Sequence, residues 1–186
     1  YRFLGLLPSY LEKQDSSLIY MVDALMQAGQ FPESGFYLDE FDQLASRLKQ
    51  LSACHYPTVL IGVSFALLDF AEKYPLSLGE EIIIMETGGM KGRREEITRE
   101  ELHSKLCQAF DKKVIYSEYG MTELLSQAYS KGDGRFSTPP CMKVMIRDIQ
   151  DPLSLLSHGQ TGAINIIDLA NYNSCSFLAT DDLGKI

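Results

Sequence analysis

The chain has 186 residues, 45% of them hydrophobic and 23% charged, the balance of a globular domain with a sizeable core. Seventeen Lys and Arg against 25 Asp and Glu leave a formal charge of −8. That argues against general binding to nucleic acid or an anionic membrane, so an anionic ligand needs a local cluster of positive charge.

Phe3 to Leu7 is a short apolar run stopped by Pro8, a predicted buried strand. Asp15 or Ser16 is placed to cap a helix running through Gln27, with Leu18, Met21, Val22, Leu25 and Met26 on one face and Gly29 in its closing turn. Phe36 to Leu38 reads as a strand. Asp39 then caps a helix carrying Phe41, Leu44, Ala45, Leu48 and Leu51 at helical spacing. The β-branched run Thr58 to Val63 reads as a central strand, and Ser64 caps an almost wholly apolar helix from Phe65 to Tyr74, ended by Pro75. Glu81 to Glu86 is a further strand, with Thr87-Gly88-Gly89 as a tight loop after it. Thr98 and Glu101 have capping-box spacing, and Leu102, Leu106, Ala109 and Phe110 form the inner face of the helix they open. Val114 to Tyr116 is the next strand.

Strands alternating with helices predict an α/β fold: an open, mostly parallel sheet with helices on both faces. The pattern then changes. Ser126–Ser130, Met142–Arg147, Gly162–Asp168 and Ser174–Thr180 are strand-like pieces separated by Gly and Pro turns. They predict a small, mainly antiparallel β portion, residues 124–186, after an α/β portion, residues 1–123. Cys54, Cys107, Cys141 and Cys175 lack zinc spacing and are expected as reduced thiols, two or more of them buried. No apolar run is long enough to span a bilayer, and a cytoplasmic location is expected. A chain that opens at Tyr1 and closes at Lys185-Ile186, both in strand-like company, is expected to be part of a longer protein.

Three stretches have chemical uses if the ligand is a nucleotide. In Tyr119-Gly120-Met121-Thr122-Glu123, the tyrosine ring offers a stacking face for a base. Gly120 admits close approach of backbone N–H groups to a phosphate. Thr122 donates to a phosphate oxygen, and Glu123 sits beside that phosphate only with a hard cation such as Mg²⁺ between them. Gly88 and Gly89 follow a predicted strand, at the end where open α/β sheets bind ligands. An aspartate presented at a strand end, as Asp181 or Asp182 in Thr180-Asp181-Asp182-Leu183-Gly184, suits the two hydroxyls of a ribose. Each stretch also has a plain reading as a strand end and a polar turn.

Taken together and in this order, the three resemble the AMP-forming acyl-adenylate superfamily, the acyl-CoA synthetases and their relatives. The resemblance implies that Tyr119–Glu123 holds adenine, phosphate and Mg²⁺, that Gly88 and Gly89 line the nucleotide site, and that Asp182 binds ribose. Asp181 stands where that superfamily has glycine. Leu6-Leu7-Pro8-Ser9-Tyr10, Met85-Glu86-Thr87-Gly88-Gly89-Met90-Lys91-Gly92-Arg93-Arg94 and Ser117–Glu123 look most like its acyl-protein synthetase (LuxE-like) branch. That branch implies a central fragment of an enzyme that uses ATP and Mg²⁺ to turn a carboxylic acid, expected to be a fatty acid, into acyl-AMP. Thr122 and Glu123 are its catalytic candidates, with Glu123 the metal ligand, and Gly88, Gly89, Tyr119, Gly120, Met121, Thr122 and Asp182 bind the nucleotide. The acyl group then passes to a thiol, a protein cysteine or CoA, and acyltransferase or reductase subunits are possible partners.

The phosphate loop of that superfamily is expected before Tyr1. Its catalytic lysine, and the cysteine that carries the acyl group, are expected after Ile186. Cys175 is expected to pack in the core rather than carry the acyl group. Lys91, Arg93 and Arg94 either steer phosphates or form a solvated loop balanced by Glu95 and Glu96, the second being favoured, and His103 is expected to be half exposed on its helix. The rival functions are an acyl- or aryl-CoA ligase and a subunit that binds without turnover.

Overall fold

A computed structural model describes residues 1–8, 16–90 and 92–186. Ser9, Tyr10, Asp15 and Lys91, named above, lie outside them. The chain divides into two compact units, the first formed by Tyr1–Tyr119 with Tyr129–Phe136, the second by Gly120–Ala128 with Ser137–Ile186.

The first unit follows the strand and helix alternation. Its elements are β1 (Arg2–Leu6), α1 (Ser17–Gly29), β2 (Gly35–Tyr37), α2 (Phe41–Ser52), β3 (Thr58–Val63), α3 (Ser64–Lys73), β4 (Ile82–Thr87), α4 (Arg99–Phe110) and β5 (Tyr116–Tyr119). Two short strands, β6 (Ala128–Ser130) and β7 (Phe136–Ser137), extend the sheet to seven, in the order β2-β1-β3-β4-β5-β6-β7. The strands from β2 to β5 are all parallel. Placing Ala128–Ser130 in this sheet differs from the sequence reading, which put that segment with the antiparallel portion.

The order explains how the sheet is covered. Parallel strands joined by right-handed crossovers put the helix of a leftward step and those of rightward steps on opposite faces. Only the β1-to-β2 step runs leftward, so α1 has one face to itself and α2, α3 and α4 share the other. On the shared face Phe70 of α3 meets Phe41 of α2 edge-on at 5.5 Å and Phe110 of α4 stacked at 5.8 Å. Leu4, Leu60 and Ile84 stand side by side in register on β1, β3 and β4, each with no exposed surface. On the α1 face, Phe3, Ile83 and Met85 are only partly buried, and with Ile61, Tyr116 and α1's Met21 they line an apolar groove of about 280 Å³.

Helix ends depart from expectation in instructive ways. Ser16 caps α1, its hydroxyl accepting from the Ile19 N–H at 3.3 Å. Gly29 remains helical, and Gln30 takes the left-handed closing position at φ 53°. Glu40 rather than Asp39 precedes α2, and its carboxylate turns back to the N–H groups of Leu38 and Asp39. Thr98 caps α4 as predicted, accepting from the Glu101 N–H at 3.2 Å.

The second unit is built on an antiparallel sheet, β10-β9-β8, from β8 (Met142–Arg147), β9 (Gly162–Asp168) and β10 (Phe177–Gly184). A 3₁₀ turn, Leu169–Asn171, follows β9. Among the described residues no helix is long and apolar enough to cross a membrane.

Because Leu60 sits between two fully buried neighbours in register, Leu60→Ala is expected to cost about 2–5 kcal/mol. In a urea titration the midpoint falls while the slope is unchanged.

Candidate functional site

At the carboxyl ends of β4 and β5 the first unit carries a buried polar cluster. β4 runs Ile82-Ile83-Ile84-Met85-Glu86-Thr87, and strand alternation turns Glu86 toward the face of α3 and α4. Glu86 is 4% exposed, and its carboxylate accepts from the Ser64 hydroxyl at 3.0 Å. It lies 3.5 Å from His103 Nε2 and 3.6 Å from Arg99 Nε. Burial alone pushes the Glu86 pKa up, but hydrogen bonds from His103, Ser117 and Ser64 and the charge of Arg99 together hold it below the ordinary value of 4.5.

Ser64 is the first residue of α3 rather than its predicted cap. Val63 is the cap residue of α3, and the Ser64 hydroxyl also lies 3.5 Å from the Thr87 carbonyl and 3.4 Å from that of Gly88. Gly88 is at φ 67°, a conformation that L side chains rarely adopt, so its turn depends on glycine's backbone freedom. A Cβ built on Gly89 meets nothing within 4 Å, so space is open beside the loop.

Ser117, His103 and Glu86 do not form a nucleophile relay. Ser117 Oγ (3.3 Å) and the Glu86 carboxylate (3.5 Å) share the same ring nitrogen, Nε2, whereas a relay needs the two different nitrogens of one imidazole. His103 is 8% exposed rather than half exposed. It was missed because helical spacing marked Leu102 and Leu106 as inner and gave no sign of an acid waiting in the sheet.

One residue along, Thr87 and Glu118 pair in register across β4 and β5, the threonine hydroxyl donating to the carboxylate at 2.5 Å. Burial pushes the Glu118 pKa up; the Thr87 hydrogen bond opposes this and the nearby charge of Glu86 reinforces it. Tyr119 follows, its ring edge-on to Phe136 at 6.1 Å. The Arg99 guanidinium lies 5.1 Å from the other ring's centre, linking the aromatic pair to Glu86. The remaining basic residues are engaged elsewhere than expected. Arg94 pairs with Asp69 and Glu72, not Glu95 and Glu96, and Arg93 lies over Phe65.

The second unit begins at Gly120. Thr122 and Glu123 are exposed on a turn closed by the Leu124 N–H donating to the Met121 carbonyl at 3.0 Å. Two residues beyond any sequence motif brace it. Asn171 accepts from the Leu125 N–H at 2.8 Å and donates to the Glu123 carbonyl. Asp168, with no exposed surface, accepts from the N–H and hydroxyl of Ser126 at 2.9 and 2.7 Å. Burial pushes the Asp168 pKa up, but the bonds from Ser126, Ala170 and Leu125 outweigh it and leave the group below its ordinary range.

Asp182 is exposed in the middle of β10. There the register with β9 shifts between Ala179 and Leu183, so Thr180, Asp181 and Asp182 lie opposite Ile164 alone. Gly88, Gly89 and Tyr119 thus share one end of the first unit. The Thr122–Glu123 turn and Asp182 belong to the second, braced and presented at opposite parts of β9.

The four cysteines are free. Cys54, Cys107 and Cys141 are only partly buried, Cys107 packing against the core of the first unit, and Cys175 is exposed, so the expected pair of buried thiols and the expected packing role of Cys175 are both corrected. Among the described residues no three His, Cys, Asp or Glu side chains gather as a metal site. A single carboxylate such as Glu123 fits a cation that takes most of its remaining ligands from a bound phosphate and water.

The two carboxyl groups should titrate with opposite effects. Glu86, held low, adds stability that is complete above the ordinary value and is lost as pH falls through its folded value. Glu86→Gln is therefore expected to cost about 1–3 kcal/mol near neutral pH, a gap that closes on acidification. Glu118, held high, favours the fold below its ordinary value and loses that advantage as pH rises, so Glu118→Gln should gain on the wild type at rising pH. Urea midpoints measured across the acidic to neutral range check both.

No model of a known protein family and no curated protein matches the chain. Solved structures do. ATP-bound MatB from Rhodopseudomonas palustris matches 100% of this chain with 38% of its own, at 16% identity and a TM-score of 0.66. The o-succinylbenzoate CoA synthetase MenE from Bacillus subtilis, in complex with AMP, matches 100% of this chain with 38% of its own, at 16% identity and a TM-score of 0.61. A 2-hydroxyisobutyryl-CoA ligase in its postadenylation state matches 98% with 38%, at 15% identity and a TM-score of 0.64. The chain spans 38% of these proteins' length, and over that span it has their fold.

Proposed function

We propose that this chain is the nucleotide-binding middle of an AMP-forming ligase that activates a carboxylic acid as its acyl-AMP, of the acyl-protein synthetase (LuxE-like) kind. The observation that carries the reading is a coincidence of fold and motif. The whole chain takes the fold of a portion of the CoA ligases named above, and Tyr-Gly-Met-Thr-Glu stands at the carboxyl end of β5, with Thr122 and Glu123 exposed on a braced turn.

In this reading a carboxylate oxygen of the acid attacks the α-phosphorus of ATP, and the bond from that phosphorus to the departing pyrophosphate breaks. Tyr119 packs on adenine, the Gly88-Gly89 loop borders it, and Asp182 accepts from the ribose hydroxyls. Their contribution is orientation. Gly120 and Met121 bring backbone close to the phosphate, where Thr122 donates to the oxygen on which charge builds. Glu123 would hold Mg²⁺, which would supply charge neutralisation at the phosphates. The apolar groove beside α1 supports an acid with a hydrocarbon chain, a fatty acid.

The acyl group then leaves acyl-AMP for a thiol. In the acyl-protein synthetase reading this is a protein cysteine, with acyltransferase or reductase subunits as partners and the cytoplasm as the place of work. Two of the matching proteins are a CoA synthetase and a CoA ligase, and that favours a second reading with CoA as the acceptor.

The full-length protein is expected to catalyse exchange of pyrophosphate into ATP when a fatty acid is supplied. Glu123→Gln should lower that rate at least tenfold and raise the Mg²⁺ requirement. Tyr119→Ala should weaken AMP binding by about 1–3 kcal/mol, roughly five- to 150-fold by calorimetry. No exchange with any carboxylic acid, together with no binding of AMP, overturns the reading. A reactive cysteine acylated in the absence of CoA separates the two acceptors.

A further inference from the structure

The register shift in β10 breaks its ladder with β9, and a buried or half-buried carbonyl left without a donor is costly. The side chain that meets this need is Arg147, the last residue of β8, which reaches past β9 to β10. Its NH1 donates to the Ile164 carbonyl at 2.8 Å and to Asn165 Oδ1 at 2.7 Å, and its NH2 donates to the Thr180 carbonyl at 2.7 Å. A second clasp lies inside the bulge. The Thr180 hydroxyl donates to the same Ile164 carbonyl at 3.1 Å and accepts from the Asp182 N–H at 3.2 Å. A planar guanidinium reaches the two carbonyls from two different nitrogens held in a fixed fork, where an ammonium offers a single nitrogen.

We infer that Arg147 is a positioning residue for nucleotide binding, fixing through Thr180 the bulge that presents Asp182 to a ribose. Arg147 touches no ligand in this arrangement; it acts by keeping the Asp182 backbone in one place. Nothing in the sequence motif contains it, since it lies thirty-five positions before Asp182. The inference rests on the reading of Asp182 as the ribose ligand.

The test compares AMP with 2′,3′-dideoxy-AMP in calorimetry on the full-length protein. Wild type should prefer AMP about tenfold or more, the worth of hydrogen bonds to a charged carboxylate. Asp182→Ala should bring the ratio close to one. Arg147→Met should bring it within about threefold while leaving the dideoxy nucleotide's affinity little changed, with Arg147→Lys in between. A purely structural arginine would weaken both nucleotides together and keep the ratio, and that result overturns the inference. Should Arg147→Met fail to fold, Thr180→Val, which unties the same bulge without removing a charge, is read by the same ratio. If Asp182→Ala itself leaves the ratio at the wild-type value, the ribose reading is wrong and the inference falls with it.

Discussion

A carboxylate taken out of water at the end of β4 sets the terms for the first unit. An isolated ion there would cost several kcal/mol, so Glu86 draws donors from three elements, Ser64 on α3, His103 on α4 and Ser117 on β5, and a compensating charge from Arg99 on α4. Hydrophobic packing around Phe70 holds the helices on the sheet without a strong preference for their exact rotation. The polar cluster does have such a preference, because hydrogen bonds are lost within a few tenths of an ångström.

The second unit solves a similar problem with the same means. The turn that exposes Thr122 and Glu123 is held by Asp168 and Asn171, which bond four groups of the segment: the Glu123 carbonyl, the Leu125 N–H, and the N–H and hydroxyl of Ser126. In both units some of the residues proposed to meet ligand are small or polar and exposed, Gly88 in the first and Thr122, Glu123 and Asp182 in the second. What orders them lies one layer beneath, on a different element.

That division explains what the sequence made legible. Apolar runs and caps located most elements of the first unit, and Tyr119, Gly120, Thr122 and Glu123 announced themselves by their spacing. β5 was displaced by two residues because Val114 and Ile115, the apolar start of its predicted run, precede the ladder, which begins at Tyr116. The supporting residues were invisible for a different reason. His103, Asp168, Asn171 and Arg147 gain meaning only from partners between 14 and 48 positions away, and no local pattern encodes such a partner. The extra residues in β10 were equally hidden, since a bulge is a property of two strands and not of one.

The neighbouring pair Glu86 and Glu118 also bears on how the chain looks to an incoming anion. The formal charge of −8 counts both as fully ionised. Burial pulls Glu118 back toward its neutral form, and Glu86 has Arg99 beside it. Glu118 therefore takes up its proton sooner than an exposed carboxylate as the medium becomes more acidic, and the negative charge at the tips of β4 and β5 falls with it. An acidic protein can in this way keep a landing place for a negatively charged guest without a dense patch of lysines.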